Sequence, residues 1–140
     1  MTLEETIKAL NKIALDQPAV NEVIESGDIY DLNSHRSANF GVFCCTQGQH
    51  TTDIENGQNT YRFFLYYVDR LKSDNSNKIE VQSTALEVLK NIVRTFVREY
   101  DAEISRFDFD VFTESFAQLC AGAYTTLDLV VDDDNCSTAF

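Results

Sequence analysis

The stretch Thr60-Tyr-Arg-Phe-Phe-Leu-Tyr-Tyr-Val-Asp-Arg-Leu71 decides the fold. It is the most apolar run of the chain, and its aromatic residues fall at both odd and even positions. A strand with one wet face would alternate apolar with polar residues, so this run predicts a central strand covered on both sides. On its N-terminal side, Phe40, Val42 and Cys44 alternate with Gly41, Phe43 and Cys45, a second β-type run. Between the two lies the polar segment 46–59, punctuated by Gly48 and Gly57. With Ile54 as its one strong hydrophobe, it buries too little apolar surface to offset its own ordering entropy. It therefore reads as a long inter-strand loop serving as an assembly arm ordered by a neighbour, or else as the tip of an extended hairpin.

On the C-terminal side, the polar turn 72–78 leads into a helix over roughly 79–100. Ala85, Leu89, Ile92, Val93, Phe96 and Val97 form its apolar stripe, and the charged residues lie mostly elsewhere. Residues 104–112, ISRFDFDVF, alternate strictly, with Phe107, Phe109 and Val111 on one side and Arg106, Asp108 and Asp110 on the other. That pattern predicts a half-exposed strand. A last strand over 123–131 places Ala123, Thr125, Leu127, Leu129 and Val131 on one face. Residues 132–140 read as an acidic C-terminal tail. At the other end, Thr2 and Glu5 have capping-box spacing, and Leu3, Ile7, Leu10 and Ala14 recur on one face of an N-terminal helix ending near Leu15. Asp16 and Pro18 then suit the start of a second short helix carrying Val20, Val23 and Ile24. Ile29, Tyr30 and Leu32 are apolar anchors in the loop 28–39.

The expected architecture is a single α+β domain over 1–140, with an antiparallel β-sheet of about four strands packed against a long central helix and an N-terminal helix. The composition, 44% hydrophobic and 24% charged, is that of one folded domain. A chain of this length buries about 68% of its unfolded surface, so it needs no disulfide or metal to be stable.

Charge and composition exclude several function classes. The formal charge of −12 repels nucleic-acid phosphates. No apolar run approaches the roughly 20 residues that cross a bilayer. The N-terminus has neither the basic nor the apolar region of a secretory signal, so the protein is expected to stay where it is made. Cys44, Cys45, Cys120 and Cys136 have no Cys-x-x-Cys spacing, and only His35 and His50 supplement them, so no metal site is expected. His50 with Cys44 or Cys45 is the nearest approach to a nucleophile and base, but cysteines inside an apolar run usually act as small buried hydrophobes. The Asp132-Asp133-Asp134 triplet lacks the spaced ligands and glycine of a calcium loop. The aromatic row of 61–67 has too few basic neighbours for a base-stacking platform. The chain carries no enzyme signature and no cofactor motif.

This pattern of elements resembles the tail-terminator and tail-completion family, the small ring-forming proteins of tailed bacteriophages. Three stretches carry the likeness: Asp28-Ile-Tyr-Asp-Leu-Asn33 before the first strand, 61–71 ending in Tyr-Val-Asp-Arg-Leu, and the passage from Phe112-Thr-Glu-Ser-Phe-Ala to Asp132 through Gly-Ala-Tyr. Among the family it looks most like the neck rings of crAss-like phages. The resemblance implies a head–tail connector or tail-end subunit, repeated in a six- or twelve-fold ring. Its partners would be copies of itself and portal, connector or tail-tube proteins. DNA would pass through the lumen without sequence-specific binding, in a virion assembled in the bacterial cytoplasm. The family has no catalytic residues to carry over. The candidate interface residues are Gln49, His50, Thr51, Thr52, Asp53 and Ile54 in the 46–59 segment, with Asp69 and Arg70 as a local or inter-subunit ion pair. A small cytosolic α+β adaptor or protein-binding module is the alternative.

Overall fold

A capping box opens the chain: Thr2 Oγ1 accepts from the Glu5 backbone N–H at 3.1 Å, and Glu5 Oε1 accepts from the Thr2 N–H at 3.1 Å. It starts α1, Leu3–Leu15, satisfying two of the donors that a helix N-terminus leaves free. The structure, a computed structural model, describes residues 1–34, 40–115 and 119–133. Six strands follow, β1 Glu22–Ile24, β2 Val42–Gln47, β3 Thr51–Asp53, β4 Gln58–Arg70, β5 Glu103–Ser115 and β6 Leu119–Asp132. A second helix, α2 Lys78–Tyr100, joins β4 to β5.

The sheet order is β1-β2-β4-β6-β5, with β3 paired to β4 beyond the end of β2. The strand read from 60–71 is the middle of this sheet, paired with β6 from Gln58 to Arg70 and with β2 from Phe63 to Val68. Because β6 lies between β4 and β5 and is antiparallel to both, β4 and β5 point the same way. Parallel strands need a crossover, and α2 supplies it. The α+β class holds, but the sheet has six strands rather than about four. It is also mixed rather than wholly antiparallel, because β1 runs parallel to β2.

That difference has a local cause. The short helix expected after Asp16 is a turn followed by β1. The Asn21 N–H donates to the Gly41 carbonyl at 2.9 Å, which lays Glu22–Ile24 beside Val42–Cys44. Val23 and Ile24 are β-branched and fit a pleated strand better than a helix. Further on, Ile29–Ser34 is a 3-10 helix with Ile29 and Leu32 buried and Tyr30 exposed. Two of the three expected anchors thus serve.

The core lies on one face of the sheet. Phe43 and Cys45 of β2, Phe63, Leu65 and Tyr67 of β4, and Leu127 and Leu129 of β6 pack beneath Leu10, Ile13 and Ala14 of α1 and Leu89, Ile92, Val93 and Phe96 of α2. The other face is covered only in part. Ile29 and Leu32 of the 3-10 helix close over Val42, Cys44, Val68 and Cys120, whereas Arg62, Phe64 and Tyr66 stay half-buried. Among the described residues, the coverage of both sides expected of β4 therefore holds at its Val68 end, and no helix crosses the other end.

The segment 46–59 is a hairpin rather than a loop. Thr46 and Gln47 complete β2, Gln58 and Asn59 begin β4, and Thr51, Thr52 and Asp53 pair with Thr60, Asn59 and Gln58. Asp53 accepts from the Asn56 N–H at 3.2 Å, and the Gly57 carbonyl accepts from the Asp133 N–H at 2.8 Å. The order expected from a neighbouring subunit is supplied by β4, which offers the segment a ladder in place of apolar burial. Of the acidic tail, residues 134–140 lie outside the described residues, as do His35, Cys136 and Phe116-Ala117.

Two glycines are fixed by close approach. A Cβ on Gly122 would collide with the Tyr67 carbonyl across the β4–β6 pairing, and one on Gly41, whose φ is +60°, would strike the Ala19 carbonyl. Either clash is with backbone, which has no rotamer to retreat to. Gly122→Ala and Gly41→Ala should therefore destabilise more than their added methyl suggests. Phe63→Ala should cost about 3–5 kcal/mol as a large core truncation. Urea unfolding monitored by circular dichroism checks all three, and a Gly122→Ala midpoint equal to wild type would contradict the packing described.

Candidate functional site

The residues singled out in the sequence occupy the two ends of β4. Gln49, Thr51, Thr52, Asp53 and Ile54 are exposed on the β3 hairpin, with Ile54 65% accessible at its tip. His50 is different. Its Nε2 lies 3.1 Å from Gln47 Oε1, its Nδ1 accepts from the Arg62 N–H at 3.2 Å, and its ring meets Tyr61 edge-on at 5.3 Å. Partial burial pushes the imidazole below its ordinary pKa. His50 is thus a structural plug where the chain steps from β2 to β3, with Gly48, Gln49 and His50 set against Tyr61 and Arg62 as a bulge.

Asp69 and Arg70 sit at the opposite end. The thirteen residues of β4 set the two groups about 40 Å apart at strand spacing. The fold does not bring them together. Their contacts also differ from the expected local ion pair: Asp69 Oδ1 accepts from the Arg70 backbone N–H at 2.7 Å, and the Arg70 guanidinium stands 5.0 Å from the Phe40 ring centre. A cation over an aromatic face is a modest attraction at an exposed site.

The thiols are positioned by the strands that carry them. Cys44, Cys45 and Cys120 are all buried. Burial pushes Cys44 up to about 11 and Cys120 up to about 12, and raises Cys45 as well. A thiol held protonated is a poor nucleophile and a poor ligand. Among the described residues, no three His, Cys, Asp or Glu side chains converge as a metal ion would require. No helix among them is long and apolar enough to cross a membrane.

The half-covered face of the sheet carries an ion pair and an aromatic cluster. Arg62 Nε and a terminal nitrogen of the same guanidinium donate to the two Asp128 oxygens at 2.8 and 2.9 Å, across the paired strands β4 and β6. Those bonds, chiefly, hold the Asp128 carboxyl below the usual carboxylate range. Alongside, Tyr66 stacks on Tyr124 at 5.4 Å and meets Phe112 at 6.2 Å. The aromatic row of 60–71 is therefore split by the pleat, Tyr61, Phe63 and Tyr67 into the core and Phe64 and Tyr66 outward. Its basic neighbours are engaged, Arg62 by Asp128 and Arg70 by Phe40.

Two further surfaces escaped the sequence reading. One is a groove of about 600 Å³ between α1 and the sheet, lined by Leu3, Ile7, Asn11 and Leu15 on the helix and by Glu25 and Gln47 beneath. β1 pairs with β2 only as far as Cys44, and β3 pairs with β4 alone. From Cys45 to Asp53 this margin of the sheet therefore has no strand beside it among the described residues. The other is the far margin, β5, thirteen residues long and paired on one side only. It leaves Ile104 40% and Val111 51% exposed. The signal for the groove was present: α1 carries apolar residues at 3, 7, 9, 10, 13, 14 and 15, a wider band than one buried stripe needs.

Compared with known protein families and with curated proteins, the sequence matches none.

Asp128→Asn should lower the melting temperature at neutral pH. The native carboxyl pKa is depressed, so its stabilisation is complete above the unfolded value near 3.9 and fades as pH falls through the native value. Melts of both proteins from neutral to strongly acid pH should converge at the acid end, and a gap that stays constant throughout would rule out the ion pair as its cause. Cys44, Cys45 and Cys120 should ignore a thiol reagent such as DTNB at neutral pH until denaturant opens the sheet. Rapid labelling of any of them in the native protein, mapped by peptide mass, would contradict their burial.

Proposed function

We propose that the chain is a structural subunit of a bacteriophage virion, repeated in a closed ring at the head–tail junction or tail end, where it joins connector and tail components around the DNA channel. The observation that carries the reading is that, among the described residues, this small sheet has an open margin on each side, with apolar side chains exposed at both. Folded monomers usually shorten, charge or cover such edges. Here β5 is long, and the opposite margin is interrupted only by a three-residue β1. Two different margins on one molecule favour head-to-tail association, and head-to-tail contacts close into rings when the rotation fits.

The likeness of 28–33, 61–71 and 112–132 to ring-forming tail proteins gives the ring its place. The charge agrees with a lumen through which DNA slides, since a surface at −12 per copy does not grip phosphate. The exposed hairpin residues 51–54 and, at the opposite end of β4, the half-buried Asp69 and the exposed Arg70 suit contacts with the components above and below a ring. The buried, protonated thiols favour a packing role for the cysteines over a chemical one.

Native mass spectrometry and electron microscopy of the purified protein should find closed six- or twelve-fold rings. Because each copy repels the next, the assembled fraction should rise as salt screens the charge over the about 8–10 Å Debye length of ordinary buffers. A chain that stays monomeric at every ionic strength and at high concentration would overturn the reading.

A further inference from the structure

We propose that copies of this chain join by inserting the free margin of β5 from one copy into the groove between α1 and the open β2–β3 margin of the next, so that the sheet runs on from subunit to subunit. The inference rests on the ring reading above and names the surfaces that make it.

The two surfaces fit in side, direction and length. Register places Phe107, Phe109 and Val111 on the same face of the sheet as Thr125 and Ala123, which is the helix side. Phe107 and Phe109 are only partly buried where they pack at the border of the core. Across the molecule, Leu3, Ile7 and Leu15 of the groove face the same helix side and are likewise incompletely covered. Sliding β5 beside the open margin would carry its apolar face directly beneath α1. The helices of every copy would then lie on one side, as a cyclic ring demands.

Strand direction agrees. β2 and β6 run opposite to β4, and β5 runs with it. With the sheets continuing in the same sense, β5 of one copy meets β2 of the next antiparallel, the commoner pairing. The open margin from residue 45 to 53 spans about 30 Å at strand spacing, shorter than the thirteen residues of β5. Asn11 adds a second sign. Its Oδ1 is buried and has no hydrogen-bond partner among the described residues, a costly state for a buried acceptor. A turn of this side chain into the groove it lines would offer the oxygen to a donor of an incoming chain.

The test uses one substitution on each surface, Leu15→Lys and Val111→Lys, at positions 53% and 51% exposed. Such sites tolerate change, so both variants should keep the wild-type circular dichroism and melting temperature. Lysine on an edge blocks strand addition, and it reduces the negative charge, so lost assembly would not reflect added repulsion. Native mass spectrometry should find wild-type rings, each variant alone as monomer, and an equimolar mixture giving a dimer of one copy of each. The dimer is expected because each variant keeps the surface the other has lost. Val111→Thr, which preserves the strand and its shape, should still form rings. If either lysine variant closes rings, or if the mixture stays monomeric while wild type forms rings, this interface is wrong and the ring reading stands. A monomeric wild type overturns both.

Discussion

The burial of one face of β4 organises the molecule. Phe63 and Leu65 are completely buried and Tyr67 nearly so, and no single helix is wide enough to cover them and their neighbours in β2 and β6. Two helices are required, one from the start of the chain and one from the connection between β4 and β5. α1 is tied down at its start, where the Tyr61 hydroxyl donates to the Met1 carbonyl at 3.2 Å and the Met1 ammonium donates to the Asp132 carbonyl at 2.9 Å. α2 is tied by topology, because β4 and β5 are parallel and only a crossover joins them. Buried area drives the packing at about 25 cal/mol per Å², but the strand order decides which residues share it.

The same arrangement leaves the margins incomplete. Two helices laid over β2, β4 and β6 cover the middle of the sheet and reach its borders only in part, so Leu15 on one side and Val111 on the other stay half in water. On the opposite face, the short 3-10 helix closes over Val68, and beyond it the Arg62–Asp128 pair and the Tyr66–Tyr124–Phe112 cluster form the surface. A bidentate pair beside stacked rings is a satisfied surface that asks for no partner. The sheet margins are less complete, with unused backbone groups and partly covered apolar side chains together. That contrast directs the functional reading to the edges.

Much of this was legible in the residues, and the failures are instructive. The capping box, the stripe of α2, the central run of β4 and the faces of β5 and β6 were all written in local periodicity, which is reliable when one burial pattern dominates. The segment after Asp16 misled because Pro18 and the apolar spacing fit a helical turn equally well, and the choice was made by Gly41, 20 or more residues away. The 46–59 segment was left open between an assembly arm and a hairpin tip because its stability comes from backbone pairing with β4 and not from apolar burial, so composition underrates the hairpin. The pairing of β4 with β6 joins residues 50 or more apart in the chain, beyond the reach of local reading. The groove beside α1 arises from how far β1 extends, a boundary that periodicity does not set.

The claim that the margins are where copies meet is tested most directly by amide hydrogen exchange on the assembled and dissociated protein. Residues 45–53 and 104–112 should exchange much more slowly in the assembly, while residues 63–68 of β4, already paired with both β2 and β6, should be equally protected in both states. Unchanged exchange at the two margins, with new protection appearing elsewhere, would contradict the account.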